Sequence, residues 1–322
     1  MASIVVYMDA RDGVVTGPAR FALGEARRVA DELGATVYAL VALPPTSGDQ
    51  LDSLAAQIGA GGADRILCCA DQALAGPPLD ATHGALLAGV ADRLRPNLFL
   101  FPPGGSAAQL APSLAVRSGA AFLPCASIEV RAHRAESSAR LILRCWRAAH
   151  DGQRTIDVCD LERPVVATLS SGIIRGSRGE PAAEMEMLVC APADARLPRI
   201  LSAEPDPAAE VAVARSLVVI GKAIDSSTLA RLQAALPAQA LALAEGDARL
   251  AGLDTACPER LLVLAAGADW RCPRIAPGTT VALIADKGQE TAPARLVARP
   301  EKDELGGLVA ALESAALHGE TP

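Results

Sequence analysis

The feature that most constrains the fold is a regular alternation of short apolar runs with segments of helical periodicity over the first 118 residues. The run "SIVVYMDA" at 3–10 is rich in β-branched residues and predicts a strand. The segment 17–34 then carries apolar residues at i, i+3, i+7 and i+10, which form one face of an amphipathic helix. These residues are Leu23, Ala26, Ala30 and Leu33.

Three further strand–helix pairs follow with similar spacing. Strands are predicted at "ATVYALVAL", "ADRILCCAD" and "RPNLFLFPP", and helices at "DQLDSLAAQIGAGG", "ATHGALLAGVADRL" and "AAQLAPSLAVRSG". Strands that alternate with helices of this length need right-handed crossovers. The pattern therefore predicts an α/β fold, with a doubly wound and mainly parallel sheet that helices cover on both faces.

From Phe122 onward the pattern changes. The runs "CASIEVRA", "RLILRCWRA", "RTIDVCD" and "RPVVATLSSG" are strand-like and follow one another with turns but no helix between them. Successive strands joined by short turns favour antiparallel pairing. We predict a strand-rich, antiparallel extension that completes the first domain.

A segment rich in Pro, Ala and Asp divides the chain. Such composition is typical of an interdomain linker, so we predict a first domain at 1–190, a linker at 191–212 and a second domain at 213–322. The second domain is predicted as a smaller, Rossmann-like α/β unit. Its strands are "SLVVIG", "LLVLAA" and "TTVALIAD", and its helices are "STLARLQAAL" and "DELGGLVAALESAAL".

Charge and hydropathy argue against several functional classes. The net charge of −7 disfavours nucleic acid or an anionic membrane as the main partner. No apolar run approaches the roughly 18 residues that a membrane-spanning helix needs. The first residues are typical of a strand and lack a positively charged leader, so we expect no signal peptide and a cytoplasmic location.

The reactive residue types form no known catalytic pattern. The sequence contains no G-x-G-x-x-G, P-loop, H-E-x-x-H or G-x-S-x-G motif, and its four histidines are scattered. None of the eight cysteines belongs to a C-x-x-C pair, and we expect them to be small buried side chains in a reducing compartment. The sequence thus gives little support for an enzyme with its own substrate, and we expect no metal site.

Two glycine turns follow predicted strands and could meet an anion. Gly104, Gly105 and Ser106 precede a helix, where backbone N–H groups can bind a phosphate. The alternative, which we favour, is a tight turn capped by Ser106. The second turn follows "SLVVI" and contains Gly221, at the position where an α/β domain usually places nucleotide phosphates.

Several blocks of the first domain resemble, in order and spacing, the N-terminal domain of electron transfer flavoprotein α subunits. The blocks are "ARDGVVTGPARFALGEARRVADELGATVYALV", "GADRILCCADQALAG", "LLAGVADRLRPNLFLFPPGGSAAQLAPSLAVRSGA" and "RPVVATLSSG". The resemblance covers about 3–172. It departs at 107–109, where the family has Gly-Arg-Asp, and at 144–146, where the family has an Arg-Pro-x-Tyr-like stretch.

The resemblance implies a heterodimer with a β subunit, in which FAD bound to the second domain relays electrons from a dehydrogenase to a membrane quinone reductase or a similar acceptor. "VVIGKAI" resembles the family's Gly-Arg-Gly-Leu turn, with Gly221 retained and Lys222 in place of Arg. Asp286 matches by position in the closing strands. These three residues are the predicted cofactor-binding residues, and no catalytic residue is predicted.

Other family elements are missing, which leaves two alternatives open. We find no Ser-Arg pair, no Val-Gly-Gln-Thr-Gly loop and no Ser-Gly-Ala-Ile-Gln-His segment. Since each lost donor weakens binding by ~1–3 kcal/mol, the chain could instead be a flavin-free docking subunit. A third hypothesis, a nucleotide-binding regulatory protein that uses the first sheet, rests on fold analogy alone.

Overall fold

The computed structural model describes residues 2–125, 127–135, 138–148, 154–160, 163–169, 183–189, 209–220, 226–236, 240–244, 246–252, 260–266, 280–285 and 296–298. The chain divides into two compact units, Met1–Ala203 and Glu204–Pro322. The bounds predicted for the domains and the linker stay predictions. The last residues of the predicted linker begin a short helix, α5 (Ala209–Val213).

The first unit is built on a seven-stranded sheet in which every strand pairing is parallel. In chain order its strands are β1 (Ser3–Met8), β4 (Thr36–Leu43), β5 (Arg65–Ala70), β6 (Leu98–Phe101), β7 (Ala121–Cys125), β11 (Val165–Leu169) and β12 (Glu184–Met187). Across the sheet they lie in the order β12-β5-β4-β1-β6-β11-β7. The predicted doubly wound α/β fold is confirmed.

Four helices cross between these strands: α1 (Gly17–Leu33), α2 (Gly48–Ala60), α3 (Asp80–Leu94) and α4 (Gly105–Ser118). Helices α3 and α4 share one core cluster with the side chains of Val5, Tyr7, Phe99 and Phe101. Side chains alternate along a strand, so Ile4, Val6 and Met8, all buried, occupy the opposite face, where α1 contacts β1.

Helix α1 shows how local sequence sets an element's bounds. Thr16 is its N-cap and accepts a hydrogen bond from the Ala19 N–H through Oγ1. Pro18 lies in its first turn, where a missing N–H costs nothing. Gly34 ends it at φ +62°, a left-handed conformation that glycine adopts without a steric penalty.

Beyond α4, the predicted antiparallel arrangement is correct for three of the four strand-like runs and wrong for the fourth. Strands β8 (Ser127–Ala135), β9 (Ser138–Ala148) and β10 (Arg154–Asp160) form the predicted antiparallel sheet. The run "RPVVATLSSG" instead contributes β11, which enters the main sheet in parallel between β6 and β7. Apart from the partly buried Thr168, its residues are apolar and buried on both faces, which is typical of a central parallel strand. A two-stranded hairpin, β2 (Ala10–Arg11) with β3 (Val14–Val15), precedes α1.

The second unit contains a five-stranded parallel sheet. Its strands are β13 (Ser216–Ile220), β14 (Ala240–Ala244), β15 (Arg260–Ala266), β16 (Thr280–Ala285) and β17 (Leu296–Ala298), and α6 (Ser226–Ala235) joins the first two. The order is β14-β13-β15-β16-β17 with all pairings parallel. Sequence analysis did not predict β14 or β17. The predicted closing helix lies outside the described residues.

Candidate functional site

The order of the first sheet reverses between β1 and β6. From β1 the chain adds β4 and β5 on one side, and then returns to place β6 on the other side. In doubly wound sheets this switch point opens a crevice outside the carboxyl ends of the two strands, where ligands usually bind. In this sheet the segments after Met8 and after Phe101 leave from that edge, and His83 at the start of α3 contacts Tyr7 there.

Two aromatic side chains and one imidazole form a ring cluster at this edge of the sheet. Tyr7, near the end of β1, is 3% exposed and stacks on Phe101 with ring centroids 5.5 Å apart. His83, in the first turn of α3, is 2% exposed and meets the Tyr7 ring edge-on at 6.2 Å. The ring cluster is therefore packed and shielded from solvent.

Burial fixes the protonation states of the two titratable groups in the ring cluster, His83 and Tyr7. It lowers the pKa of His83 to about 4, so the imidazole is neutral near pH 7. Thr82 Oγ1 lies 2.7 Å from His83 Nδ1 and orients the ring. Burial, and secondarily the nearby Asp9 carboxylate, raises the pKa of Tyr7, so its hydroxyl keeps its proton. Neither group is poised for proton transfer at neutral pH.

Asp9 follows β1 directly and places a carboxyl group at this edge of the sheet. Burial raises the pKa of its carboxyl group, and the positive charge of Arg11 opposes that effect. The backbone carbonyl of Asp9 accepts two hydrogen bonds from Thr16, one from its N–H at 3.0 Å and one from its hydroxyl at 3.2 Å. The N-cap of α1 therefore also positions the turn that carries Asp9.

Replacing Thr16 by alanine is expected to lower the free energy of unfolding by about 1–2 kcal/mol, because it removes the cap of α1 and one buried hydrogen bond. Urea denaturation followed by circular dichroism measures the loss. Thr16→Ser keeps the hydroxyl and is the matched control, with an expected loss of less than half as much. Equal losses in both variants would contradict the capping role.

The turn after β6 differs from the favoured prediction. Helix α4 begins at Gly105, and its N-cap is Gly104 at φ +145°, so Ser106 is the second helical residue and not the cap. The prediction was wrong because this left-handed backbone conformation strongly favours glycine. Among the described residues no side chain caps α4.

The residues at this edge of the sheet are the buried rings of Tyr7, His83 and Phe101 and the carboxyl group of Asp9. Among the residues that the structure describes, no cluster of His, Cys, Asp or Glu could hold a metal ion. Sequence analysis missed Tyr7, Asp9 and His83 as a group. One signal was present for His83, which precedes Leu87 and Val90 by four and seven residues and so shares their buried face.

The second unit has its own switch point, between β13 and β15. Strand β13 ends at Ile220, directly before Gly221, and β16 ends at Ala285, directly before Asp286. The predicted site residues Gly221, Lys222 and Asp286 themselves lie outside the described residues. Strands β14, β15 and β16 end in Ala244, Ala266 and Ala285.

A protein-family model matches the first part of the chain. The model described as "Electron transfer flavoprotein domain" matches residues 4–195 of the 322. No curated protein matches the chain. In the described part of the chain, none of the helices has the length and apolar character needed to cross a membrane.

Proposed function

The chain belongs to the electron transfer flavoprotein domain family, and on that premise we propose that it is the α subunit of a heterodimeric electron transfer flavoprotein. The observation that carries the proposal is a family-matched parallel sheet followed by a second parallel sheet with its own switch point. In this role it pairs with a β subunit. It passes electrons from a dehydrogenase to a quinone reductase or a similar acceptor.

FAD, when bound, would supply the two-electron redox chemistry. The chain's own part is to bind and orient that group at the carboxyl edge of β13 and β16. Gly221 would let the backbone approach the pyrophosphate, Lys222 would oppose its negative charge, and Asp286 would lie near the adenosine half. The protein does no acid–base chemistry of its own in this role.

Equilibrium titration of FAD into the purified chain, followed by flavin fluorescence, tests the proposal. We expect saturable binding, and a roughly 5- to 30-fold weaker affinity in Lys222→Ala, because a charged contact contributes about 1–2 kcal/mol. Arg65→Ala removes one positive charge from an exposed position in the first unit and is the control. It should bind FAD as the unaltered chain does.

The second candidate is a flavin-free docking subunit of a similar complex. The missing Ser-Arg, Gln-Thr-Gly and Gln-His elements favour it, because these are the groups that would neutralise the pyrophosphate and the reduced flavin. Absence of FAD binding, both in the isolated chain and after addition of a β subunit, would support this candidate and contradict the first. The cytoplasmic location stays a prediction under either candidate.

A further inference from the structure

A pocket of about 370 Å³ opens at the amino edge of the first sheet, the edge opposite to the one that carries Tyr7. This amino-edge pocket is lined by the first residues of β6 and β11 and by the carboxyl ends of α3 and α4. Pockets that bind small molecules have volumes of roughly 300–1,000 Å³. The amino-edge pocket therefore has room for a molecule of the size of an amino acid.

The inner wall of the amino-edge pocket is apolar. Phe99 and Val166 are register partners in neighbouring parallel strands, so their side chains lie on the same face of the sheet. Leu114 of α4 belongs to the same core cluster. These three side chains are at most 2% exposed, and they present hydrocarbon and aromatic surface to the pocket. Burial against this wall stabilises an apolar ligand group.

An arginine at the rim of the pocket occupies an unusual backbone position. Arg95 ends α3 at φ +45° and ψ +57°, a left-handed conformation that glycine adopts far more easily. Its side chain is exposed, and its guanidinium group makes no hydrogen bond or ion pair with any residue that the structure describes. A guanidinium group binds a carboxylate through two parallel hydrogen bonds. Arg95 is therefore available to hold the carboxylate of a ligand.

The same rim offers acceptors for a positive charge. Asp92 is exposed, and its carboxylate has no partner in the described part of the chain, Arg95 included. Pro96 has no N–H, so it cannot donate to the Asp92 carbonyl oxygen, to which the residue four positions on normally donates in a helix. The dipoles of α3 and α4 also favour a positive charge at their carboxyl ends. An ammonium group therefore suits this side of the rim.

We propose that the amino-edge pocket binds a free α-amino acid with an apolar side chain, represented by leucine. The α-carboxylate contacts Arg95, the α-ammonium group contacts Asp92, and the apolar side chain lies against Phe99. A zwitterion of this kind bridges two charges that do not pair with each other. An anion such as phosphate is disfavoured, because Asp92 and the negative ends of two helix dipoles repel it.

Equilibrium dialysis of the full-length protein against radiolabelled L-leucine tests the proposal. We expect saturable binding with a Kd below roughly 10 mM. Isocaproate keeps the side chain and the carboxylate but lacks the ammonium group, and isoamylamine lacks the carboxylate. Each should compete at least about 5-fold more weakly than unlabelled L-leucine, because it loses one charged contact. The absence of saturable binding would overturn the proposal, and so would isocaproate or inorganic phosphate competing as well as leucine.

Two variants that each remove one charge assign the binding to this pocket. Arg95→Gln and Asp92→Asn should each weaken L-leucine binding at least about 5-fold. Arg65→Gln and Asp52→Asn are the matched controls, because they remove the same charges from exposed positions on β5 and α2, outside the pocket. The controls should bind L-leucine as the unaltered chain does. Unchanged affinity in both rim variants would contradict the assignment.

Thermal unfolding gives a second measurement. Saturating L-leucine should raise the midpoint of the unaltered protein by a few degrees, because the ligand binds the folded state. At the same concentration the rise should be much smaller in Arg95→Gln and Asp92→Asn, whose midpoints without ligand show that they fold. An equal rise in all three proteins would contradict the proposal. These readouts do not involve FAD, so they stand or fall independently of the proposed function.

Discussion

Replacing Phe101 by alanine should lower the free energy of unfolding by about 3–5 kcal/mol, the range for aromatic side chains removed from a core. Phe101 is 0% exposed. Its ring stacks on Tyr7 with centroids 5.5 Å apart and on Phe99 with centroids 5.2 Å apart, so it joins two other buried rings. The surrounding rings are themselves held by strands, so the cavity cannot collapse easily.

Urea denaturation followed by circular dichroism measures this loss. Val116→Ala is the control, because Val116 is 83% exposed on α4 and its truncation should change stability by less than about 0.5 kcal/mol. Phe101→Leu should fall between the two. A loss below about 1 kcal/mol in Phe101→Ala would show that the rings of Tyr7, Phe99 and Phe101 are not packed as described.

Between pH 6.5 and pH 4 the protein should lose about 2–3 kcal/mol of stability through His83 alone. Burial lowers the pKa of His83 to about 4 in the folded state, against an ordinary value of 6.5. The unfolded chain therefore binds more protons in this window. The stabilisation is fully present above pH 6.5 and is lost as the pH falls toward 4.

The carboxyl groups of Asp9 and Asp80 also make stability depend on pH, either in the opposite direction or at lower pH. The raised pKa of Asp9 means that acid relieves an unfavourable buried charge, which reduces the net loss. The lowered pKa of Asp80, held down by Ser113 and Arg117, adds a loss only below its ordinary value of 3.8.

Stability measured against pH in the unaltered protein and in His83→Gln separates these contributions. The variant is expected to be less stable at pH 7 but to have a much flatter slope between pH 6.5 and 4. The same slope in both proteins would mean that other groups cause the acid sensitivity.

The sequence predicts most of the first unit because the apolar pattern of each segment agrees with the element that the segment forms in the fold. The apolar runs and helix faces before Ser118 occur as strands and helices in the expected order. The exceptions depend on tertiary contacts. The run 165–169 is as apolar as a sandwich strand, and only its neighbours β6 and β7 decide that it is parallel. Strand β12, "EMEM", alternates polar and apolar residues over only four positions, which is too short to predict a strand, and its pairing with β5 makes it one.

The candidate site could be predicted only in part for a similar reason. The glycine turn after β6 is visible in the sequence, but the φ of Gly104 that makes it the cap is not. Tyr7, Asp9 and His83 come from two elements more than 70 positions apart, and only the sheet brings them together. Gly221, Lys222 and Asp286 remain predictions that rest on the family resemblance.

The most direct test of the central claim, that this chain is the α subunit of an electron carrier, is the visible absorption spectrum of the chain purified together with its β subunit. We predict flavin bands that bleach on reduction, return on reoxidation, and correspond to FAD released when the complex is denatured. A colourless complex with no releasable flavin would contradict the claim and leave the docking role as the better account.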